Sequence, residues 1–302
     1  MKNLQNTFNS SVIALLLLSF NIHAAEVDPQ IIACNSALNK QDYAAAITKA
    51  NVAIKQSNLA AQGMMCKGRA LLGMGKTEEA KAEFISADKK ATSDFDKTVA
   101  NLLIGNMEKE QKHYKEAIQL YEKSLAYALK DDNRNFARVS YNLLGDTYGL
   151  LTEYPTSLKY LEEGEKLAMN DNERADSYER LAANYQAQQR FEEAIAYQIK
   201  GVTMQQKAGT LDQYAEANLT LGHLYTQSKN YPKAEATLNK LLKFSQDNGG
   251  AYYEAKTNIY LAQAKLAQGD NASANQLFAQ AKTIAEQIQA TDLTALIDTT
   301  QK

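Results

Sequence analysis

Small residues recur at two fixed positions along the chain, and their spacing constrains the fold more than any other sequence feature. The first series is Cys34, Gly68, Gly105, Gly145, Ala182, Gly222 and Ala262, and the second, 12 residues later, is Ala46, Ala80, Ala117, Ser157, Ala194, Ala234 and Ala274. Successive members are 34 to 40 residues apart. A glycine inside a helix costs about 1 kcal/mol relative to alanine, so its recurrence indicates places where a partner helix comes close. The spacing predicts seven repeats of two amphipathic helices each.

Within each repeat, large apolar and aromatic residues flank the small ones at helical spacing. Three pairs of segments show the pattern best: LLGDTY (143–148) with YPTSLKYL (154–161), LAANY (181–185) with FEEAIAY (191–197), and LGHLY (221–225) with YPKAEATL (231–238). This pattern resembles the tetratricopeptide repeat over about residues 29–289. The resemblance implies an all-α fold, a right-handed α-solenoid of stacked antiparallel helix pairs. We expect a seven-repeat array over residues 25–289, followed by residues 290–302 as a short cap or a frayed tail.

In tetratricopeptide arrays the first helix of each repeat, the A helix, lines a concave groove, so the resemblance implies peptide or protein binding there. One A-helix position in each repeat is occupied by Asn35, Arg69, Asn106, Asp146, Ala183, His223 and Gln263, and six of these seven are polar. Such side chains offer both donors and acceptors to an extended peptide. The alternative is a solvated face. The candidate groove residues are Asn35, Arg69, Asn106, Asn142, Asp146, Glu179, Arg180, His223 and Gln263.

Charge in the central repeats suggests which ligand the groove prefers. Asp146, Asp176, Glu179 and Glu216 fall at groove positions together with a single base, Arg180. This balance predicts an acidic patch that favours a basic segment, with pairing of Arg180 to one of the acids as the alternative. The apolar groove residues Met65, Leu102, Leu219 and Ile259 either form side-chain pockets or pack between neighbouring helices.

The N-terminus has the features of a targeting segment. Lys2 is the single charge before Glu26, and an apolar run over residues 12–20 precedes Ala24 and Ala25. This order is typical of a secretory signal peptide, which we expect over residues 1–24, although a fraying helix is an alternative. The run is shorter than the roughly 20 residues of a membrane span. We expect a mature chain without an integral membrane segment, in the periplasm or secreted.

The two cysteines, Cys34 and Cys66, fall on the A helices of the first two repeats. An even pair in an oxidising compartment suggests a disulfide. Their positions within the repeat differ by two residues, about half a helical turn. This offset favours two buried free thiols, and the disulfide remains the alternative.

No segment carries a recognisable catalytic, metal or cofactor motif. The mature chain has two histidines, His113 and His223, in different repeats. The net charge is −2, so the chain has no electrostatic footprint for nucleic acid. The sequence therefore predicts an exported, non-enzymatic adaptor or assembly factor that binds a protein or extended peptide. A peptide-binding sensor acting through a separate output partner is the alternative, and an enzyme with an unrecognised site is a third.

Overall fold

The computed structural model describes residues 28–301, so the predicted signal peptide lies outside the described residues. This part of the chain is helical without strands and forms two compact units, residues 28–133 and residues 134–301. No helix in the described range is long and apolar enough to cross a membrane.

The first unit contains three helix pairs. Its helices are α1 (Pro29–Asn39), α2 (Tyr43–Ile54), α3 (Ala60–Gly73), α4 (Thr77–Lys90), α5 (Asp94–Glu110) and α6 (Tyr114–Lys130). The odd-numbered helices are the A helices and the even-numbered ones are the B helices. Each A helix packs on its own B helix, and α3 and α5 also pack on the B helix before them.

The second unit contains four helix pairs and a terminal helix. These are α7 (Arg134–Leu150), α8 (Tyr154–Lys166), α9 (Asp171–Ala187), α10 (Phe191–Ala208), α11 (Leu211–Gln227), α12 (Tyr231–Asp247), α13 (Ala251–Gln268), α14 (Asn271–Gln287) and α15 (Thr291–Thr300). The packing follows the same rule as in the first unit. The predicted fold class, an all-α solenoid of stacked helix pairs, is confirmed.

The recurring glycines lie where a B helix approaches its A helix most closely. A Cβ added at Gly145 would lie 2.6 Å from Leu161 of α8, and one at Gly222 would lie 2.5 Å from Leu238 of α12. At Gly105 the ring of Tyr121 fills the space that a side chain would need. The small-residue series therefore marks the A–B contact, as the spacing predicts.

Every turn between an A helix and its B helix has one residue in the left-handed region, two positions before the B helix begins. The seven residues are Gln41, Gly75, Lys112, Thr152, Gln189, Lys229 and Gly269. The next backbone N–H donates back to a carbonyl in the last turn of the A helix, for example Glu153 N–H to the Tyr148 oxygen at 2.9 Å. This is the Schellman arrangement, which closes a helix and fixes the direction in which the chain leaves it.

Cys34 and Cys66 form a disulfide between α1 and α3, with their Cα atoms 6.5 Å apart. The expectation of two free thiols is therefore wrong. Residues of neighbouring A helices need not share a repeat position to come within bridging distance, and Cys34 and Cys66 are two positions apart in the repeat. The bond joins the first two repeats of the first unit, and both cysteines are buried.

The C-terminal segment forms α15, which packs on α13 and α14. Leu293 and Ile297 of this helix are each 1% exposed and lie against Phe278 and Ile259 in one apolar cluster. The segment therefore covers the apolar face that the last helix pair would otherwise present to water.

Candidate functional site

Each unit has a candidate ligand-binding face, a row of polar A-helix side chains. In the first unit Asn35, Arg69 and Asn106 are half-buried. In the second unit Asp146, His223 and Gln263 are half-buried, whereas Ala183 is exposed. Half-burial leaves some polar atoms in contact with solvent while others bond within the protein, so the partners of each side chain decide what it can offer a ligand.

In the first unit, polar side chains join neighbouring A helices. Arg69 of α3 donates from Nη1 to Oδ1 of Asn35 on α1 at 3.1 Å. Gln62 of α3 likewise donates to Asp96 of α5 at 3.1 Å. Asn106 differs, because its Oδ1 accepts a hydrogen bond from the hydroxyl of Tyr121 on its own B helix at 2.7 Å. Burial lowers the pKa of Arg69 from its ordinary value.

In the second unit, the strongest of these links centres on Arg180 of α9. Its guanidinium donates to Asp146 of α7 and, from Nε, to Oδ1 of Asp176 at 2.9 Å. Burial alone would lower the pKa of Arg180, but the two carboxylates outweigh burial and raise that pKa. Two acceptors on two helices thus fix one planar donor group, a geometry that suits arginine rather than lysine.

Asp176 is held from a second direction by α7. Arg138 donates from Nη1 to Asp176 Oδ2 at 3.0 Å, and Asn142 donates from Nδ2 to the same oxygen at 3.0 Å. Asn142 is only 4% exposed, so its place is beneath the face rather than on it. Its contribution is to position Asp176.

Glu179, one position before Arg180, has a different environment. Its Oε1 accepts a hydrogen bond from Gln205 Nε2 of α10 at 3.0 Å. Burial raises the pKa of Glu179, and the neighbouring charge of Asp176 adds to this, although the bond from Gln205 and the charge of Arg180 oppose it. Glu179 therefore holds its negative charge less readily than an exposed glutamate does.

The A helices α11, α13 and α15 are linked in the same way. Lys256 Nζ of α13 donates to Glu216 Oε1 of α11 at 2.5 Å. His223 packs edge-on against Tyr260, with ring centroids 5.7 Å apart, and burial lowers the pKa of its imidazole. Gln263 of α13 reaches Thr300 of α15 at 3.5 Å.

The family model for the tetratricopeptide repeat matches residues 98–170, 173–247 and 213–287. Together these segments cover more than half of the sequence. The chain belongs to the tetratricopeptide repeat family. A search of the curated proteins finds no match.

Three solved structures of similar fold are distant in sequence. The apo form of RapI has a TM-score of 0.70 at 13% identity, covering 89% of this chain and 79% of RapI. Aspartyl phosphate phosphatase F from Bacillus subtilis has a TM-score of 0.63 at 13% identity, covering 90% and 77%. A Rap protein complexed with competence and sporulation factor has a TM-score of 0.57 at 12% identity, covering 89% and 82%. At these identities the likeness shows the fold alone.

The charge balance on this tetratricopeptide face differs from the sequence-based count of four acids and one base. The structure adds two cations that the count omitted, Arg138 and Lys256, and pairs Arg180 with both Asp146 and Asp176. A signal for both was present in the sequence. Lys256 occupies the same repeat position as Asp176 and Glu216, and Arg138 lies four residues before Asn142, on the same helix face.

The apolar residues on these A helices pack between the tetratricopeptide helices. Met65, Leu102, Leu219 and Ile259 are 6%, 4%, 1% and 0% exposed, so they form core and not side-chain pockets. No group of three or more His, Cys, Asp or Glu residues within 28–301 could hold a metal ion. The chemistry that this face offers is hydrogen bonding and ion pairing with a ligand.

Proposed function

We propose that this tetratricopeptide repeat protein is an exported, non-enzymatic adaptor or assembly factor that holds a protein segment against its A helices. One observation carries the proposal. The polar row offers carboxylate, amide and guanidinium groups that are half-buried and already fixed by bonds to neighbouring helices. Groups held in place lose little conformational freedom when a ligand binds, so each contact with the ligand retains more of its free energy.

We also propose that this face prefers a basic protein segment, although the internal ion pairs make the preference weaker than the sequence-based count of four acids and one base implies. The helices α7, α9, α11 and α13 together carry eight acids and six bases, which gives a net charge of −2. The acids are Asp146, Asp171, Glu173, Asp176, Glu179, Asp212, Glu216 and Glu254, and the bases are Arg134, Arg138, Arg174, Arg180, Lys256 and Lys265. Complementary charge mainly increases the association rate and the selectivity for basic partners.

Export is part of the same proposal. It rests on the apolar run over residues 12–20 followed by Ala24 and Ala25, and on the disulfide between Cys34 and Cys66, since structural disulfides persist in oxidising compartments. N-terminal sequencing of the protein from fractionated cells tests it. We expect a mature chain that begins at Ala25 or Glu26 in the envelope or the medium. An intact Met1 in the cytoplasmic fraction would contradict export.

Binding is tested by blocking the face without breaking any bond within the protein. Ala183 is the exposed member of the polar row, so Ala183→Arg adds bulk and positive charge there. Ala196→Arg, on an exposed position of the B helix α10, is the matched control. Alanine and arginine have similar helix propensities, so both variants should fold.

The assay is a pull-down from envelope extract followed by mass spectrometry, with the wild-type protein and both variants as baits. The three baits are first shown to have the same melting temperature. We expect a protein that the wild type and Ala196→Arg retain and Ala183→Arg loses. Equal retention by all three would place binding elsewhere on the surface. A list indistinguishable from that of empty resin would overturn the proposal.

The alternative function is a peptide sensor acting through a separate output partner. The link between Asp146 and Arg180 favours it, because a ligand that competes for either side chain would change the spacing of α7 and α9. One of the similar structures is a Rap protein complexed with competence and sporulation factor. Ligand-dependent compaction in small-angle scattering would support the sensor, and an unchanged scattering profile would favour the adaptor.

A further inference from the structure

An open cleft of about 560 Å³ lies at the N-terminal ends of α11 and α13 and the C-terminal end of α14 in the second unit. Its lining residues are Asp212, Gly249, Gly250, Ala251, Tyr252, Tyr253 and Ile288. Tyr252 lies one helical turn before Lys256, which is bonded to Glu216 of the candidate face. The cleft therefore adjoins the candidate face where the A helices α11 and α13 begin.

Two tyrosine rings form an aromatic corner in this cleft. The rings of Tyr252 and Tyr253 are nearly perpendicular, at 85°, with centroids 5.4 Å apart. The Tyr252 hydroxyl donates to Asp292 Oδ2 of α15 at 2.7 Å, which fixes the orientation of this ring. An ammonium or guanidinium group is attracted to the face of such a ring.

The surroundings of the rings are negative. Asp212 and Glu216 of α11 and Asp292 of α15 surround them, and Lys256 is the cation beside them, which leaves a net charge of −2. Burial raises the pKa of Tyr252 and Tyr253, and the nearby carboxylates raise both further, as expected where potential is negative. The two phenols therefore stay protonated and act as donors to carboxylates.

The protein itself shows which ligand chemistry this corner accepts. The ammonium of Lys256 lies 5.8 Å from the centroid of the Tyr252 ring while it bonds to Glu216. One alkylammonium is thus already held between an aromatic face and a carboxylate. The adjoining cleft, with Asp212 and Tyr253, repeats the same two elements and is large enough for another long side chain.

We propose that this cleft is a subsite for the alkylammonium group of a lysine in the bound segment. The aromatic corner takes the methylene chain and the charge, and Asp212 accepts a hydrogen bond from the ammonium. The subsite deepens the proposed function, since it rests on a basic segment lying along the A helices. It names the side chain that would anchor such a segment at the end of the second unit.

The test uses a small probe, so that it does not depend on finding the natural partner. The probe is Nα-acetyl-lysine-N-methylamide, and its uncharged counterpart is Nα-acetyl-norleucine-N-methylamide. Binding is followed through the ring resonances of Tyr252 and Tyr253 in protein with labelled tyrosine. We expect the lysine probe to shift both resonances in a saturable manner and the norleucine probe to shift neither.

Two substitutions with opposite expected effects sharpen the test. Asp212→Asn should weaken binding of the lysine probe about two- to fivefold, because it removes the charge but keeps the shape. Lys256→Met should strengthen binding, because it removes the competing internal ammonium. The matched controls are Asp131→Asn in the first unit and Lys240→Met on an exposed position of α12, and both should leave the affinity unchanged.

The outcomes separate this subsite from the proposed function. Equal shifts with both probes, no shift at either ring, or no response to Asp212→Asn and Lys256→Met would overturn the subsite. If a protein partner is still captured in an Ala183-dependent manner, the proposed function stands without it. If the lysine probe binds as expected but no partner is captured, the subsite stands and the adaptor role fails.

Discussion

Arg180 of α9 donates a hydrogen bond to Asp146 of α7, so that one ion pair joins the A helices of two consecutive repeats. The side chains are 20% and 30% exposed, which places the pair between a surface salt bridge and a buried one. Asp176, 34% exposed, accepts from the same guanidinium. The residues that we propose face a ligand therefore also join the helices that carry them.

Replacing Arg180 with methionine should destabilise the second unit by about 1–3 kcal/mol. The change leaves Asp146 without this cation and Asp176 with Arg138 alone, and the loss is smaller than the 3–5 kcal/mol of a fully buried pair because the carboxylates reach water. Urea unfolding followed by circular dichroism measures it. Arg174→Met is the control on the same helix, since Arg174 pairs with Asp171 at the surface and should cost less than about 1 kcal/mol. Equal losses in both variants would contradict the cross-repeat role of Arg180.

The helix pairs and the polar row could be predicted from the sequence, because small residues at a fixed distance report directly on A–B packing. The pairing between repeats could not. Asn35 bonds to Arg69 at the same repeat position, whereas Asp146 bonds to Arg180 three positions away. The offset between joined residues thus differs from one contact to the next. This offset depends on how whole helices pack, so no short sequence pattern predicts it.

The error on Cys34 and Cys66 arose because the sequence argument required two bridged cysteines to share a repeat position, whereas α1 and α3 join Asn35 to Arg69 at one position and Cys34 to Cys66 two positions apart. Their disulfide closes a segment with a sequence separation of 32. In the entropic description, closing a loop of this size lowers the entropy of the unfolded chain and so stabilises the folded protein by about 3–4 kcal/mol. We expect a reducing agent to lower the melting temperature of the wild type. A variant with both cysteines replaced by alanine should melt lower and show no response to the reducing agent. An unchanged wild-type melting temperature under full reduction would contradict a stabilising bond.

Thr152 occupies the left-handed turn between α7 and α8 with φ at 62°, and its side chain is exposed. A β-branched residue in this region is strained, and glycine is not. Thr152→Gly should therefore raise the free energy of unfolding by about 0.5–1.5 kcal/mol, after the entropy of the more flexible unfolded chain is subtracted. The reciprocal change, Gly269→Thr at φ 83°, should lower it by a similar amount. If both variants shift stability in the same direction, the turn geometry is not the cause.

Gly222 and Gly149 both lie inside A helices, yet alanine should have opposite effects at the two positions. A Cβ at Gly222 would meet Leu238 at 2.5 Å, so Gly222→Ala should cost about 1–3 kcal/mol through overpacking. A Cβ at Gly149 would find its nearest neighbour, Ser157 Oγ, at 3.4 Å, an ordinary contact. Gly149→Ala should then stabilise by up to about 1 kcal/mol through helix propensity. Thermal unfolding of the two variants decides, and losses at both positions would contradict the assigned packing.

His223 should make the second unit less stable in mild acid. Burial lowers the pKa of its imidazole in the folded protein, while the unfolded value is about 6.5. Below that value the unfolded chain binds more protons than the folded one. The contribution of His223 to stability is therefore fully present above about pH 6.5 and is lost as pH falls toward the folded pKa. We expect the melting temperature of the wild type to decrease more between pH 7.5 and pH 5.5 than that of His223→Gln. Leu219→Val, at a buried position of the same helix α11, is the control, because it lowers stability while keeping the imidazole, so the difference between the two pH values should remain. Parallel pH profiles for the wild type and His223→Gln would show that the buried imidazole does not control this loss.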